Sequence, residues 1–348
     1  MILENFRSKN DNKPGIFETV AQAGARSEDA LESARLGFAF PVHERIRNLG
    51  NKTVRAFGGK ELSRTELMKT MLTSIERAWT EAIQPQIGEM RRTGVATDSI
   101  KGGIDFYNKA DVDSEELIRG CFLEKFGEQN LRIFGEESAQ YLGNINSHAG
   151  VRLDPIDGSE SIKFGMPNWG IMGGVYEGTP DNERQVLGAV YLPERHALIC
   201  YEEDAGVFVT DTATGEVREI KPFPEHNTLG DIIVNVWRHT DKRRRGNIAA
   251  IEAALFEKGA RIRSAGNCVD VLDAMLMDGA RAMIIDGDYN EVDYICNRWI
   301  EKLGYNLYLW DGTPVRADDA SLNDKKVVIV PPGQAGKEIL EIVGRFAH

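Results

Sequence analysis

Gly135-Glu136-Glu137-Ser138 and Asp154-Pro155-Ile156-Asp157-Gly158-Ser159 are the two stretches on which the reading of this chain turns. Each follows a short apolar run, Leu131 to Phe134 in the first case and Val151 to Leu153 in the second, so both acidic motifs are expected at strand ends. Taken singly, each fits ordinary turn and cap chemistry, in which Asp, Gly and Ser beside Pro are common. Taken together, they set Glu136, Asp154 and Asp157 at neighbouring strand ends, where carboxylates can converge on one hard cation through oxygen ligands. Two carboxylates about 4 Å apart repel by a few kcal/mol at an effective dielectric of about 20. Such a cluster needs compensation, and a divalent metal supplies it. Pro155 has no N–H and ends the ladder, turning the chain so that the Ile156 carbonyl points the same way as the acids. Gly158 and Ser159 then open an expected helix to Phe164, whose free N–H groups suit phosphate oxygens.

Working outward, Ser63 and Glu66 have the spacing of a capping box. Met68, Met71, Leu72, Ile75, Trp79, Ala82 and Ile83 then recur at helical intervals until Pro85. Residues 1–62 read as an N-terminal extension without a motif. A second helix is expected after Asp113, with Leu117, Ile118, Cys121, Phe122 and Phe126 on one face. Downstream, Val186 to Leu192 and Ala197 to Tyr201 flank Pro193-Glu194-Arg195-His196 as a β-hairpin. After Asp231 the pattern changes to strands and helices in alternation: Ile232 to Trp237, Ile248 to Phe256, Arg261 to Arg263, Val269 to Met277, Ala282 to Ile285 and Tyr294 to Leu303. The expected division is therefore the extension 1–62, an α+β half 63–225 rich in antiparallel strands, and a layered α/β half 226–348 with a mixed sheet. Gly58-Gly59-Lys60 lacks the spaced glycine and the following Ser or Thr of a P-loop. Gly170 through Gly178 is a Gly-rich strand without the helix of a dinucleotide fingerprint.

Composition narrows the chemistry. In 348 residues, 42 basic against 54 acidic side chains give a formal charge of −12, which opposes tight non-specific contact with nucleic acid or an anionic membrane. An anionic substrate therefore needs local positive charge, again pointing to metal. The four cysteines, Cys121, Cys200, Cys268 and Cys296, form no Cys-x-x-Cys pair, so neither a zinc site nor a disulfide framework is indicated and a reducing cytoplasm is expected. The polar start from Met1 to Pro14 has no secretory core, and no apolar run approaches the length of a membrane span.

The paired motifs resemble the signature of the inositol monophosphatase superfamily, which also holds fructose bisphosphatases and bisphosphate nucleotidases. The resemblance covers about residues 65 to 315 and includes Lys109-Ala110-Asp111-Val112-Asp113-Ser114-Glu115. Gly188-Ala189-Val190-Tyr191 through Gly206-Val207-Phe208 and Arg263-Ser264-Ala265-Gly266-Asn267 match in the same order. It implies an α+β fold, a layered αβαβα sandwich, a homodimer, and a phosphatase dependent on two or three Mg2+ ions and sensitive to lithium. By the same resemblance Glu136, Asp154, the Ile156 carbonyl and Asp157 bind metal, and Ser159 with Asp111 or Glu136 orients the attacking water. The last ligand, normally an aspartate after tryptophan, falls here on Asp293 after Val292. Ser159 stands where threonine is commoner and keeps the hydroxyl.

For the substrate, the resemblance points to Gly158, Ser159, Trp237, Arg238, His239, Gly266, Asn267 and Asp286, with Asp286 suited to accept from a polyol hydroxyl. The first expectation is hydrolysis of inositol monophosphate or a related cyclitol or sugar phosphate. Fructose 1,6-bisphosphate, a nucleotide 3′,5′-bisphosphate and histidinol phosphate stand as alternatives. Lys242-Arg243-Arg244-Arg245 is either a solvated loop or a site for a second phosphate. A reading of another class is a regulatory or binding protein that keeps the fold without turnover.

Overall fold

The computed structural model describes residues 40–93, 99–101, 105–107, 109–138, 140–163, 165–237, 246–265, 267, 269, 272, 282–287, 293–317, 322 and 325–347. A short helix α1 (Glu44–Arg47) and the strand pair β1 (Thr53–Arg55) and β2 (Glu61–Ser63) precede the long helix α2 (Arg64–Arg77). Ser63 caps the helix as its spacing predicts, its Oγ accepting from the Glu66 N–H at 3.4 Å, while the Glu66 carboxylate pairs with Lys125 at 2.8 Å. The helix does not stop at Pro85. A π-helical turn, Ala78–Ile83, carries it into α3 (Gln84–Thr93). In that turn the Gln84 N–H reaches back to the Trp79 carbonyl. The wider turn resets the ladder just before Pro85, where a plain α-helix would meet a missing donor and a ring clash.

Next come the small pair β3 (Ser99–Lys101) and β4 (Asp105–Tyr107), then α4 (Lys109–Phe126). This helix starts four residues ahead of the expected Asp113. Asp111 in its first turn complements the helix dipole, and the Lys109–Asp113 ion pair closes that turn. The following elements are β5 (Arg132–Gly135), β6 (Tyr141–Gly143), β7 (Ala149–Asp157), the short helix α5 (Ser159–Lys163), β8 (Gly170–Thr179), β9 (Asn182–Leu192), β10 (Ala197–Glu202), β11 (Gly206–Asp211) and β12 (Val217–Ile220). They make an eight-stranded sheet in the order β12-β11-β10-β9-β8-β7-β5-β6. Only β5 and β7 pair in parallel. The expected hairpin is β9–β10, turned by Pro193–Arg195 with His196 in the left-handed region.

The second half holds β13 (Ile233–Trp237), α6 (Gly246–Glu257), β14 (Arg261–Ala265), β15 (Ala282–Asp286), a 3-10 turn Asp293–Cys296 leading into α7 (Asn297–Lys302), β16 (Asn306–Leu309), β17 (Lys326–Val330) and α8 (Gln334–Gly344). Its five-stranded sheet, β14-β13-β15-β17-β16, is mixed: β13 runs parallel to β14 and β15, and β17 antiparallel to β15 and β16. The expected helix over Val269 to Met277 lies largely outside the described residues.

Among the described residues three apolar cores bind the layers together, the middle one enclosing a helix between the two sheets. Leu67, Met71 and Ile75 of α2 with Ile118 and Phe122 of α4 cover one face of the first sheet. Trp299 and Ile300 of α7 lie with Val190 and Ile199 of the first sheet and Ile285 and Ile329 of the second. Ile251 of α6 and Ile339 of α8 cover the far face of the second sheet. This is the αβαβα sandwich. The segment from Phe40, which carries no legible motif, packs on the helix side of the first sheet. Phe40, Val42, Ile46 and Leu49 join that core, and His43 stacks on Phe208 at 4.2 Å. Buried Glu202 draws in Arg64 at 2.9 Å and Lys52 at 3.2 Å.

Candidate active site

The parallel pairing of β5 and β7 places Gly135 against Leu153, and the Glu136 N–H donates to the Leu153 carbonyl at 3.2 Å. Glu136 and Asp154 are thus next to each other at two adjacent strand ends, as the motif spacing predicts. Alternation along each strand sorts the neighbouring residues by face. Ile133, Val151 and Leu153 enter the core beneath α2 and α4, whereas Phe134 packs toward the core between the sheets. Asp154 shares the inter-sheet register of Arg152.

Beyond Asp154 the pairing with β8 is interrupted. Asp154 pairs with Met172 and Asp157 with Gly170, and the bulge between them holds Pro155 and Ile156. A bulge at a sheet rim re-aims the side chains beside it. Asp154 is 2% exposed and its Oδ1 accepts from the Ile156 N–H at 3.1 Å. Asp157, also buried, accepts at Oδ2 from the Val269 N–H, a donor brought from the second half of the chain. Asp111 is buried in the first turn of α4. Ser159 opens α5 and is half-buried.

Gly158 has φ +88°, which a side chain rarely adopts, and a Cβ there would come within 2.3 Å of Asn267 Nδ2 and 2.8 Å of the Asn168 carbonyl. That crowding locates Asn267. Its amide donates to the Asn168 carbonyl at 2.9 Å and lies 3.5 Å from Ser161 Oγ, so it braces the turn that carries Gly158 and Ser159. With Val269 on Asp157, the segment after β14 is latched onto the first-half motif at two points. Asp286 ends β15, is 3% exposed and has Lys326 Nζ at 3.4 Å from Oδ1; that ammonium also lies 4.6 Å from the centre of the Trp310 ring. Trp237 ends β13, half-buried beside the inter-sheet core. Arg238, His239, Gly266 and the Lys242–Arg245 run lie outside the described residues, as does the side chain of Asp293, whose backbone opens the 3-10 turn before α7.

Two features escaped the sequence reading. Glu115, in the second turn of α4 and 2% exposed, accepts from the Glu137 N–H at 2.7 Å and the Ser138 N–H at 3.1 Å. It grips the turn that carries Glu136. It closes the Lys109–Glu115 stretch that marked the resemblance, yet nothing in a single helix repeat says where a carboxylate reaches. Toward the opposite end of the same strands, Glu183 at the start of β9 bridges Arg132 of β5 and Arg152 of β7, with all three buried and the Arg152 guanidinium 4.8 Å above the Tyr176 ring. The triad carries one net positive charge and ties β5, β7 and β9 together away from the acidic rim.

Whether these residues suit a metal is a question of donor type and of spacing. The donors at this edge are carboxylates and a backbone carbonyl, the oxygen set that Mg2+ takes. Among the described residues no three His, Cys, Asp or Glu side chains are drawn close enough to close round an ion. Asp154 and Asp157 instead each hold a backbone amide. The donor chemistry fits a hard divalent cation, and the strand ends bring its carriers to one edge.

Solved structures share this fold. An extragenic suppressor protein from Bartonella henselae aligns with a TM-score of 0.64 and 16% identity over 80% of this chain and 98% of its own. A staphylococcal IMPase-I complexed with products aligns with a TM-score of 0.61 and 16% identity over 81% and 96%. An inositol monophosphatase from Anabaena (Nostoc) gives 0.57 and 17% over 81% and 97%. No curated protein matches at the sequence level. The model of the inositol monophosphatase family matches residues 65–299, and the chain belongs to that family.

Proposed function

We propose that this chain is a Mg2+-dependent phosphomonoester hydrolase acting on a small metabolite, with inositol monophosphate or a related cyclitol or sugar phosphate as its substrate. Family membership supports a phosphatase. The observation that carries the finer reading is the register that sets Glu136 beside Asp154, with Asp157 and the Gly158–Ser159 turn directly after. Glu136, Asp154, the Ile156 carbonyl, Asp157 and Asp293 are the residues that would hold the ions. When bound there, a divalent ion neutralises phosphate charge and acidifies a water.

The chain's own groups supply the remainder. The Ser159 hydroxyl, with Asp111 or Glu136 as acceptor, orients the attacking water and takes its proton toward a carboxylate oxygen. The Gly158 turn, braced by Asn267 in the space a side chain would fill, presents its backbone to the phosphoryl group. Asp286 accepts from a hydroxyl of the leaving group, and Arg238, Gly266 and Asn267 complete that side. A cytoplasmic homodimer inhibited by millimolar lithium belongs to the same reading. The test is inorganic phosphate release from inositol, sugar, nucleotide and histidinol phosphates, with Mg2+ and with chelator. Turnover of one substrate that stops with chelator supports the proposal. Turnover undiminished by chelator rejects the metal mechanism, and binding of these compounds without turnover favours a regulatory protein on the same fold.

A further inference from the structure

Glu115 has no assigned role, and its geometry is specific. Both carboxylate oxygens are committed to the turn after β5: Oε2 takes the Glu137 N–H at 2.7 Å and Oε1 the Ser138 N–H at 3.1 Å. Those are the two amides that immediately follow Glu136. On its other side the Glu136 amide is held by the Leu153 carbonyl at 3.2 Å. The peptide groups before and after Glu136 are therefore pinned from different layers, one by β7 and one by α4. Arg119 Nη1, 3.7 Å from Oε1, is the charged neighbour of the carboxylate on its own helix. Hydrogen bonds to an ionised acceptor are about twice as strong as neutral ones, and a bidentate set fixes direction as well.

Gly135 records the same contact independently. Its φ is not positive, so conformation does not demand glycine there. Space does: a Cβ at residue 135 would meet Glu115 Cδ at 2.2 Å and both carboxylate oxygens at 2.3 to 2.5 Å. Alternation along β5 turns this position toward α4, the side from which Glu115 arrives. The glycine is the vacant side-chain position into which the carboxylate fits.

We propose that Glu115 is a positioning residue: through the Glu137 and Ser138 amides it aims Glu136 at the metal and so sets the affinity for that ion. The inference rests on the metal-dependent phosphatase reading. Groups that orient ligands from behind typically change metal affinity by about 10- to 100-fold when removed.

The experiment uses the full chain and Mn2+ as probe, with free ion counted by electron paramagnetic resonance. Phosphate release is followed against Mg2+ concentration, and thermal melting is recorded for each variant. Glu115→Ala is expected to weaken Mn2+ binding about tenfold or more and to raise the half-saturating Mg2+ concentration in step. Gly135→Ala, which keeps Glu115 but fills its place, is expected to do the same. Glu115→Gln retains one acceptor oxygen and should fall between these and wild type. If Glu115→Ala does not fold, the other two variants decide. Lower melting temperatures with wild-type Mn2+ affinity in the variants would mean a merely structural role and overturn the proposal. Asp154→Asn losing Mn2+ while the Glu115 and Gly135 variants keep it would sink this inference alone. A wild-type chain that takes up no Mn2+ would remove the underlying reading as well.

Discussion

The strand ends of the two sheets hold the same kind of residue in different ways. At the rim of the first sheet, Glu136, Asp154 and Asp157 come from two contiguous motifs on adjacent strands. Glu136 is tied through its own N–H to the Leu153 carbonyl, while the Asp154 and Asp157 carboxylates accept the Ile156 and Val269 amides. At the rim of the second, Trp237 and Asp286 also end neighbouring parallel strands, with Trp237 facing Ile285 in register. There the buried acid is answered by Lys326, a partly exposed cation on the antiparallel neighbour β17. A carboxylate held by amides keeps its charge available to a cation from outside. A carboxylate facing a flexible lysine can exchange that partner for a hydroxyl donor. On the proposed function, the first rim carries the constant chemistry and the second the recognition that differs from one substrate to another.

That contrast can be broken at several points. The largest expected effect is at the far end of the strands that carry the first rim. Glu183→Gln leaves Arg132 and Arg152 buried with the whole of their shared partner's charge removed, and removing a buried ionic partner costs about 3–5 kcal/mol. Chemical denaturation measures it, and a loss below about 1 kcal/mol, the size of an exposed pair, would show that the triad is not a rigid floor. Next is Gly158→Ala, which forces a side chain into φ +88° against Asn267 and Asn168. A displacement of about 1 Å at a reacting centre can cost about a hundredfold in rate, so phosphate release should fall by that order while the fold persists by circular dichroism. An unchanged rate would mean that the turn does not touch the substrate.

Asp286→Asn sharpens the comparison from the other side. It should alter the relative kcat/KM among polyol and sugar phosphates by about tenfold and leave the Mg2+ dependence as it was. A changed Mg2+ dependence would place Asp286 with the first rim.

The smallest effect tests the layer behind the site. Glu76 of α2 is 2% exposed, and burial pushes its carboxyl up to about 7 from an ordinary 4.5. With the folded pKa raised, its contribution to stability is fully present below about 4.5 and is lost as pH rises through about 7. Glu76→Gln should therefore stabilise the chain at pH 8 by about 1–2 kcal/mol and add little or nothing at pH 4.5. Equal shifts in melting temperature at both pH values would contradict the assignment.

Much of the first rim was legible because its chemistry is local. Pro155, Gly158 and the two acidic motifs lie within short stretches whose turn behaviour follows from residue type, and the hairpin around Pro193–Arg195 was readable for the same reason. Misreadings arose where one ladder was altered by another. Pro85 signals a helix end, and the π turn before it removes the conflict. Asp113 resembles a start, but the helix opens at Lys109 with Asp111 already in its first turn. Glu115, Asn168 and the Arg132–Glu183–Arg152 triad were invisible because each acts across strands or layers, at distances along the chain that no periodicity records. Asn267 is expected from the sequence at the substrate, and the contact its amide makes with Asn168 to brace the Gly158 turn is one that no spacing reveals.

The central claim is that the carboxylates at the ends of β5 and β7 hold the ion on which phosphate hydrolysis depends. Its most direct measurement is phosphate release by wild type and Asp154→Asn across a Mg2+ titration, on whichever substrate the panel selects. The account predicts saturable Mg2+ activation for wild type and background release for the variant at every concentration. Wild-type activity in Asp154→Asn, or activation of both proteins alike, would contradict it.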